Sequence, residues 1–97
     1  MNQNKLLISE CLRIYEIDEN FLHSLSESGL IHLNKEEEQD FLLEEELKML
    51  EQFARWHYDM DINIGGIEAL HHMLLRIENM QKEIEDLRTQ IRFYKSF

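Results

Sequence analysis

The stretch Ile8-Ser9-Glu10-Cys11-Leu12-Arg13-Ile14-Tyr15-Glu16-Ile17-Asp18, continued through Phe21-Leu22 and Leu25 to Gly29-Leu30-Ile31, decides the fold. Ser9 suits the N-cap of a short helix whose apolar turns carry Cys11, Leu12 and Ile14. Asp18 suits the cap of a second helix. Ile17 before that cap can pack on Leu22 after it, the arrangement of a hydrophobic staple. Phe21, Leu22 and Leu25 recur at helical spacing. Gly29 stands where a helix end wants a left-handed residue. Two short helices joined by a tight turn form a helix-turn-helix.

Working outward, Leu6 and Leu7 make a short apolar lead into the first helix. Leu30-Ile31-His32-Leu33 reads as a short strand or as an irregular loop, Lys35 to Asp40 as an acidic hairpin tip, and Phe41-Leu42-Leu43 as the return strand of a small wing. A helix is expected from Glu44 to about Met60, with Glu44, Glu45 and Glu46 in the first turn, where negative charge suits the helix dipole. It carries two apolar stripes, Leu47, Leu50, Ala54 and His57 on one side, and Met49, Phe53, Trp56 and Met60 on the other, so it should lie between two neighbours. Asp61-Ile62-Asn63 breaks it. Asn63 can cap the last helix and Ile62 can staple onto Ile67.

From there Leu70, Met73, Ile77, Met80, Ile84, Leu87, Ile91 and Tyr94 alternate three- and four-residue steps. With Leu70 at heptad position a, the a sites hold Leu, Ile, Ile and Ile, and the d sites hold Met, Met, Leu and Tyr. One helix cannot bury such a seam, so it needs a second copy or the chain's own preceding helix. The early part, widened by Leu74, can face its own domain. Ile84, Leu87, Ile91 and Tyr94 are the expected dimer seam. Glu83 and Arg88 suit a parallel pair, but one pair worth a few tenths of a kcal/mol leaves the orientation open. The expected architecture is mostly α: residues 1–62 form a degenerate winged helix-turn-helix with a bracing helix, and residues 63–97 form a long coiled-coil helix within one structural domain.

Composition narrows the function. The 97 residues hold 20 acidic and 10 basic side chains, a formal charge of −10, with no proline and three glycines. Such a surface repels phosphate and anionic lipid and attracts basic partners. One cysteine, Cys11, cannot close an internal disulfide and points to a reducing compartment. The start, Met1-Asn2-Gln3-Asn4-Lys5, is not followed by an apolar run of secretory type, and no segment approaches the roughly 20 apolar residues of a membrane span. A cytoplasmic protein is expected.

The residues offer no catalytic or cofactor chemistry. His71 and His72 are adjacent and diverge on a helix, while His23, His32 and His57 are scattered, so no metal-ligand spacing appears. Gly65-Gly66 is too short for a phosphate loop. No nucleophile stands with a base, and no cofactor or enzyme activity is expected.

The segment from Ile8 to Asp18 resembles the opening of MerR-type regulators, whose pattern is Ile-Gly-Glu-Leu-Ala-x-x-x-Gly-Val-Ser. Gly29-Leu30-Ile31 is similar to that family's Gly-Leu-Leu, and Asp61 to Ile67 is similar to its Gly-Phe-Ser-Leu-x-x-Ile. A sharper resemblance is to the chaperone-modulator, CbpM-type branch, carried by Arg55-Trp56-His57-Tyr58-Asp59-Met60-Asp61-Ile62-Asn63-Ile64-Gly65-Gly66-Ile67 ahead of a charged heptad helix. That resemblance implies a bacterial cytoplasmic protein that binds the J-domain of a DnaJ-like co-chaperone and restrains it.

Charge then separates two functions. A MerR-type reader places its second helix in the DNA major groove, and half or more of protein–DNA hydrogen bonds go to phosphate and sugar, largely from Arg and Lys. Here that helix carries Asp18, Glu19, Asn20, His23, Ser24, Ser26, Glu27 and Ser28, with His23 where the family commonly has arginine. The wing sets Lys35 against Glu36, Glu37, Glu38 and Asp40. A DNA-binding regulator is therefore the alternative reading. J-domains resemble one another in a lysine- and arginine-rich second helix, which an acidic protein can cover. Candidate contacts are Glu44, Glu45, Asp59 and Asp61, with Trp56 and Tyr58 as aromatic anchors. For Trp56 the competing reading is core packing, and for the glutamate run it is a solvated loop.

Overall fold

A computed structural model describes residues 5–96. Met1–Asn4 and Phe97, at the outer ends of the two expected segments, lie outside the described residues. The element order is β1 (Lys5–Leu7), α1 (Ile8–Ile14), α2 (Glu19–Glu27), β2 (Asn34–Glu36), β3 (Gln39–Leu43), α3 (Glu44–Ala54), a π-helical turn (Arg55–Asp59) and α4 (Ile64–Lys95). The fold is mostly helical, with one small antiparallel sheet.

The apolar lead is a strand. Lys5–Leu7 pairs antiparallel with β3, Lys5 opposite Leu43 and Leu7 opposite Phe41, so β3 is central in the order β1-β3-β2. This corrects the first cap. Leu7, not Ser9, stands at the cap position, with extended backbone, and α1 starts directly at Ile8. The Glu10 carboxylate accepts the Leu7 N–H at 3.0 Å, so a side chain from the first turn reaches back to the cap residue's own donor.

At α2 the Asp18 carboxylate faces the Asn20 N–H at 3.5 Å, the cap position read from the sequence. The helix ends in a Schellman arrangement: Gly29 N–H donates to the Ser26 carbonyl and Leu30 N–H to the Leu25 carbonyl, with Gly29 at φ +75°. Leu30 and Ile31 are buried in the loop that follows, and β2 starts only at Asn34. Of the two readings left open for Leu30–Leu33, the loop is correct. These side chains fill the core, and the Glu46 carboxylate accepts the His32 N–H at 3.2 Å in place of a ladder partner.

The wing is real, and its tip is strained. Glu36 faces Gln39 across a two-residue turn in which Glu37 (φ 52°) and Glu38 (φ 63°) are both left-handed. That pattern belongs to type I′ turns, which favour Asn-Gly. Lys5 crosses the sheet to pair with Glu36 and lies 4.6 Å from the Phe41 ring centroid.

The core gathers Cys11, Ile17, Phe21, Leu22, Leu25, Leu30, Ile31, Leu42, Leu50, Phe53 and Ile67, so every element through the start of α4 contributes except the edge strands and the π turn. On α3 only Leu50 and Phe53 are fully buried; Leu47, Met49, Ala54 and Trp56 pack at its margin. Met60, expected on the second stripe, is 59 % exposed, because regular α-helix stops at Ala54 and the wider π turn rotates it off that stripe. The Asn63 side chain caps α4, accepting the Gly66 N–H at 2.8 Å. A Cβ on Gly66 would stand 2.7 Å from Ile62 Cγ2, so glycine there lets the chain close onto the helix.

Beyond Leu74 no side chain of α4 is more than partly covered. Met73, Ile77, Met80, Ile84, Leu87, Ile91 and Tyr94 are all exposed. A helix of 32 residues spans about 48 Å at 1.5 Å per residue, most of the 60 Å length of the molecule. Among the described residues, the chain's preceding helix does not cover the seam.

Two stability experiments follow. Gly66→Ala should cost about 1–3 kcal/mol through the clash with Ile62, whereas Gly65→Ala meets only Asn63 Oδ1 at 3.5 Å and should be neutral or mildly stabilising in thermal melts. The double substitution Glu37→Asn with Glu38→Gly should raise stability by about 1–2 kcal/mol by relieving two left-handed glutamates, read as a shift in the denaturant midpoint.

Candidate functional site

The segment Arg55–Asp59, where the stretch of sharper family resemblance from Arg55 to Ile67 begins, is the π turn. Widening the helix swings two aromatic side chains onto α2. The His57 ring stacks on Phe21 at 4.4 Å with planes 13° apart, and the Tyr58 ring meets Phe21 edge-on at 5.4 Å. The Tyr58 hydroxyl oxygen accepts the Asp18 backbone N–H at 2.9 Å. His57 Nδ1 lies 2.8 Å from the Ile62 carbonyl oxygen, which can only accept, so Nδ1 carries the proton. The Ile62 N–H in turn donates to the Trp56 carbonyl at 3.0 Å. The turn thus clasps the start of α2 to the chain entering α4.

The expected contact residues fall into two groups. Glu44 and Glu45 sit in the first turn of α3, on the exposed surface. Trp56, Tyr58, Asp59 and Asp61 lie past its other end, ~20 Å along the helix by rise per residue. The structure therefore does not gather all six into one patch. Trp56 is half-buried, packs on the core margin and has its ring 6.0 Å from Phe53. Tyr58 is 46 % exposed, with its hydroxyl engaged inside the chain. Asp59 and Asp61 are exposed, and Asp61 adopts φ +57°. Asp tolerates that region better than most residues.

The electrostatics are one-sided. Residues 1–62 hold fifteen acidic and five basic side chains, and residues 63–97 hold five of each, so the whole formal charge of −10 belongs to the helix-turn-helix segment. Helix α2 has no Lys or Arg. Its one ring nitrogen partner, His23, is 3.7 Å from the Glu19 carboxylate. In the wing Lys35 stands among Glu36, Glu37 and Glu38. Across α2 and the wing, residues 19–27 and 34–43, Lys35 is the one Lys or Arg.

Other chemistry is sparse. Burial pushes the Cys11 thiol above its ordinary range, with the Glu10 charge adding to the effect, so it is held as a neutral core group. Among the described residues no group of three His, Cys, Asp or Glu side chains could hold a metal ion. Nor is any helix among them long and apolar enough to cross a membrane.

Comparison with protein families matches residues 6–89 to the MerR HTH family of regulatory proteins. The chain belongs to the MerR helix-turn-helix family. No curated protein and no solved structure gives a match. The MerR match covers the lead strand, both short helices, the wing, α3, the π turn and most of α4. Two positions where the MerR opening and pre-helix patterns carry glycine hold Glu16 and Asp61 here, and both keep positive φ, at 52° and 57°. Both positions thus carry carboxylate side chains on left-handed backbone.

The aromatic clasp was not legible in the sequence as a contact. From the sequence Tyr58 reads as an aromatic anchor for a partner, whereas the π turn sets its ring against Phe21. Tyr58→Phe should lower stability by about 0.5–1 kcal/mol through loss of the acceptor for Asp18 N–H, measured by chemical denaturation, while Tyr58→Ala should cost more by also removing the ring from Phe21.

Proposed function

We propose that this MerR relative is a non-enzymatic regulator that covers a basic protein helix, and that its client is the J-domain of a DnaJ-like co-chaperone, whose activity it restrains in a bacterial cytoplasm. The observation that carries the reading is the charge of the helix-turn-helix segment, fifteen acidic against five basic side chains, with no Lys or Arg on the helix that a DNA reader would insert. A protein that neutralises several phosphates draws its non-specific affinity from those cations. On this segment the same approach meets carboxylates. A lysine- and arginine-rich helix finds them complementary, and association of that kind is steered by opposite charge.

Family membership favours the second reading, a DNA-binding transcriptional regulator, and charge weighs against it. The contact surface proposed for the client runs from Glu44 and Glu45 along α3 to Asp59 and Asp61, with the exposed edges of Trp56 and Tyr58 beside the latter pair. A helix lying along α3 can reach both groups, since ~20 Å is about fourteen residues of helix. The exposed α4 seam is proposed to pair two copies, with Ile84, Leu87, Ile91 and Tyr94 at its distal end.

Isothermal titration with a J-domain should give a complex at about 50 mM salt that weakens by about tenfold or more at about 500 mM, as expected for screened surface charges. Glu45→Lys and Asp59→Lys should each weaken it several-fold. Absence of heat and of any complex at the lower salt would remove the J-domain reading.

A further inference from the structure

The outer face of the sheet holds a cleft that the core does not use. Side chains alternate along a strand, so with Leu42 buried on the inner face, Phe41 and Leu43 belong to the outer one. Leu7 and Lys5, their partners across the ladder, share that face. Leu7 and Phe41 are only half-buried there. With Glu10, Glu36 and Glu37 they line a cleft of about 310 Å³. In it the Lys5 ammonium pairs with Glu36 and lies 4.6 Å from the Phe41 ring centroid. An aromatic face with a carboxylate beside it is a setting that attracts an organic cation, and here an ammonium of the chain itself is seated in it.

One lysine does not balance this cleft. Three carboxylates line it against one ammonium. Lys35 stands opposite Asp40, on the other face of the ladder. Glu10 uses one oxygen on the Leu7 N–H. The Glu37 carboxylate has no ion-pair partner among the described residues. The Lys5–Glu36 pair is itself weakly held, since its side chains are 44 % and 59 % exposed and exposed pairs contribute little.

We infer that the cleft receives one arginine side chain of a basic partner, and that Lys5 fills it in the free chain as a tethered stand-in which the incoming guanidinium displaces. This rests on the proposed basic-helix client and adds an insertion point outside the carboxylates already named. Lys5 stands opposite Leu43, the residue before Glu44, so the cleft adjoins the Glu44–Glu45 end of the proposed contact surface. The planar guanidinium can lie on the Phe41 ring while its fork of N–H donors meets more than one carboxylate, whereas the compact ammonium acts as a point charge. Arginine is also among the side chains that most often anchor protein interfaces.

The test compares two labelled helical peptides of identical sequence and charge, one with arginine and one with lysine at every basic position, by fluorescence anisotropy with the full chain at about 50 mM salt. The arginine peptide should bind about threefold or more tightly than the lysine peptide, and Phe41→Leu should abolish that preference. Lys5→Met vacates the cleft and keeps an apolar stem. It should tighten the arginine peptide about threefold beyond the gain given by Lys82→Met, which removes the same charge from the exposed surface of α4. Thermal melts check that each variant is folded; if Phe41→Leu is not, the Lys5→Met comparison decides. Equal binding of the two peptides, or an arginine preference that survives Phe41→Leu, overturns the cleft as a receptor and leaves the basic-partner reading in place. A Lys5→Met variant that tracks Lys82→Met overturns the displacement of Lys5. Binding of neither peptide overturns both this inference and the basic-partner reading.

Discussion

Three rings and two backbone groups hold this molecule in its shape. Phe21 on α2 is stacked by His57 and edged by Tyr58, and the same two side chains bind the Asp18 N–H and the Ile62 carbonyl. The clasp joins the start of α2 to the turn that launches α4, elements separated by about forty residues of chain. It exists because the helix opens into a π turn at Arg55–Asp59. In a regular helix, positions 57 and 58 would point elsewhere, and α2 would lose its connection to the base of α4. Single π turns inside α-helices recur at functional positions. Here the turn sets both the direction of the long helix and the placement of the exposed carboxylates Asp59 and Asp61.

Much of the fold follows from local chemistry. Asp18 and Asn63 cap their helices as short polar side chains do, Gly29 supplies a left-handed helix end, and the three- and four-residue alternation from Leu70 to Tyr94 describes one uninterrupted helix. These features depend on neighbours within a few residues, and residue type alone predicts them. The misread features depend on distant partners. Lys5–Leu7 becomes a strand only because β3 offers it a ladder, and that pairing moves the start of α1 from the expected Ser9 cap to Leu7. For Leu30 and Ile31 the sequence left strand and loop open, and their burial in the core decides for the loop.

The candidate site was legible as residue types and less so as geometry. The excess of carboxylates and the absence of cations on α2 are visible in the sequence and persist on the folded surface. The six proposed contact residues do not form one cluster, because α3 separates Glu44 and Glu45 from Asp59 and Asp61. Tyr58 has a structural duty that its position in a helical pattern does not reveal. Glu16 and Asp61, aligned with glycines of the MerR pattern, hold left-handed backbone here with their charges on the exposed surface.

The account turns on whether this helix-turn-helix has exchanged a polyanionic ligand for a polycationic one. Fluorescence anisotropy with two labelled probes in the same buffer at about 50 mM salt tests this directly: a Lys/Arg-rich helical peptide and a double-stranded DNA of random sequence. The account predicts saturable binding of the peptide and no binding of the DNA up to the highest protein concentration reached. Tight, salt-sensitive binding of the DNA with none of the peptide would contradict it.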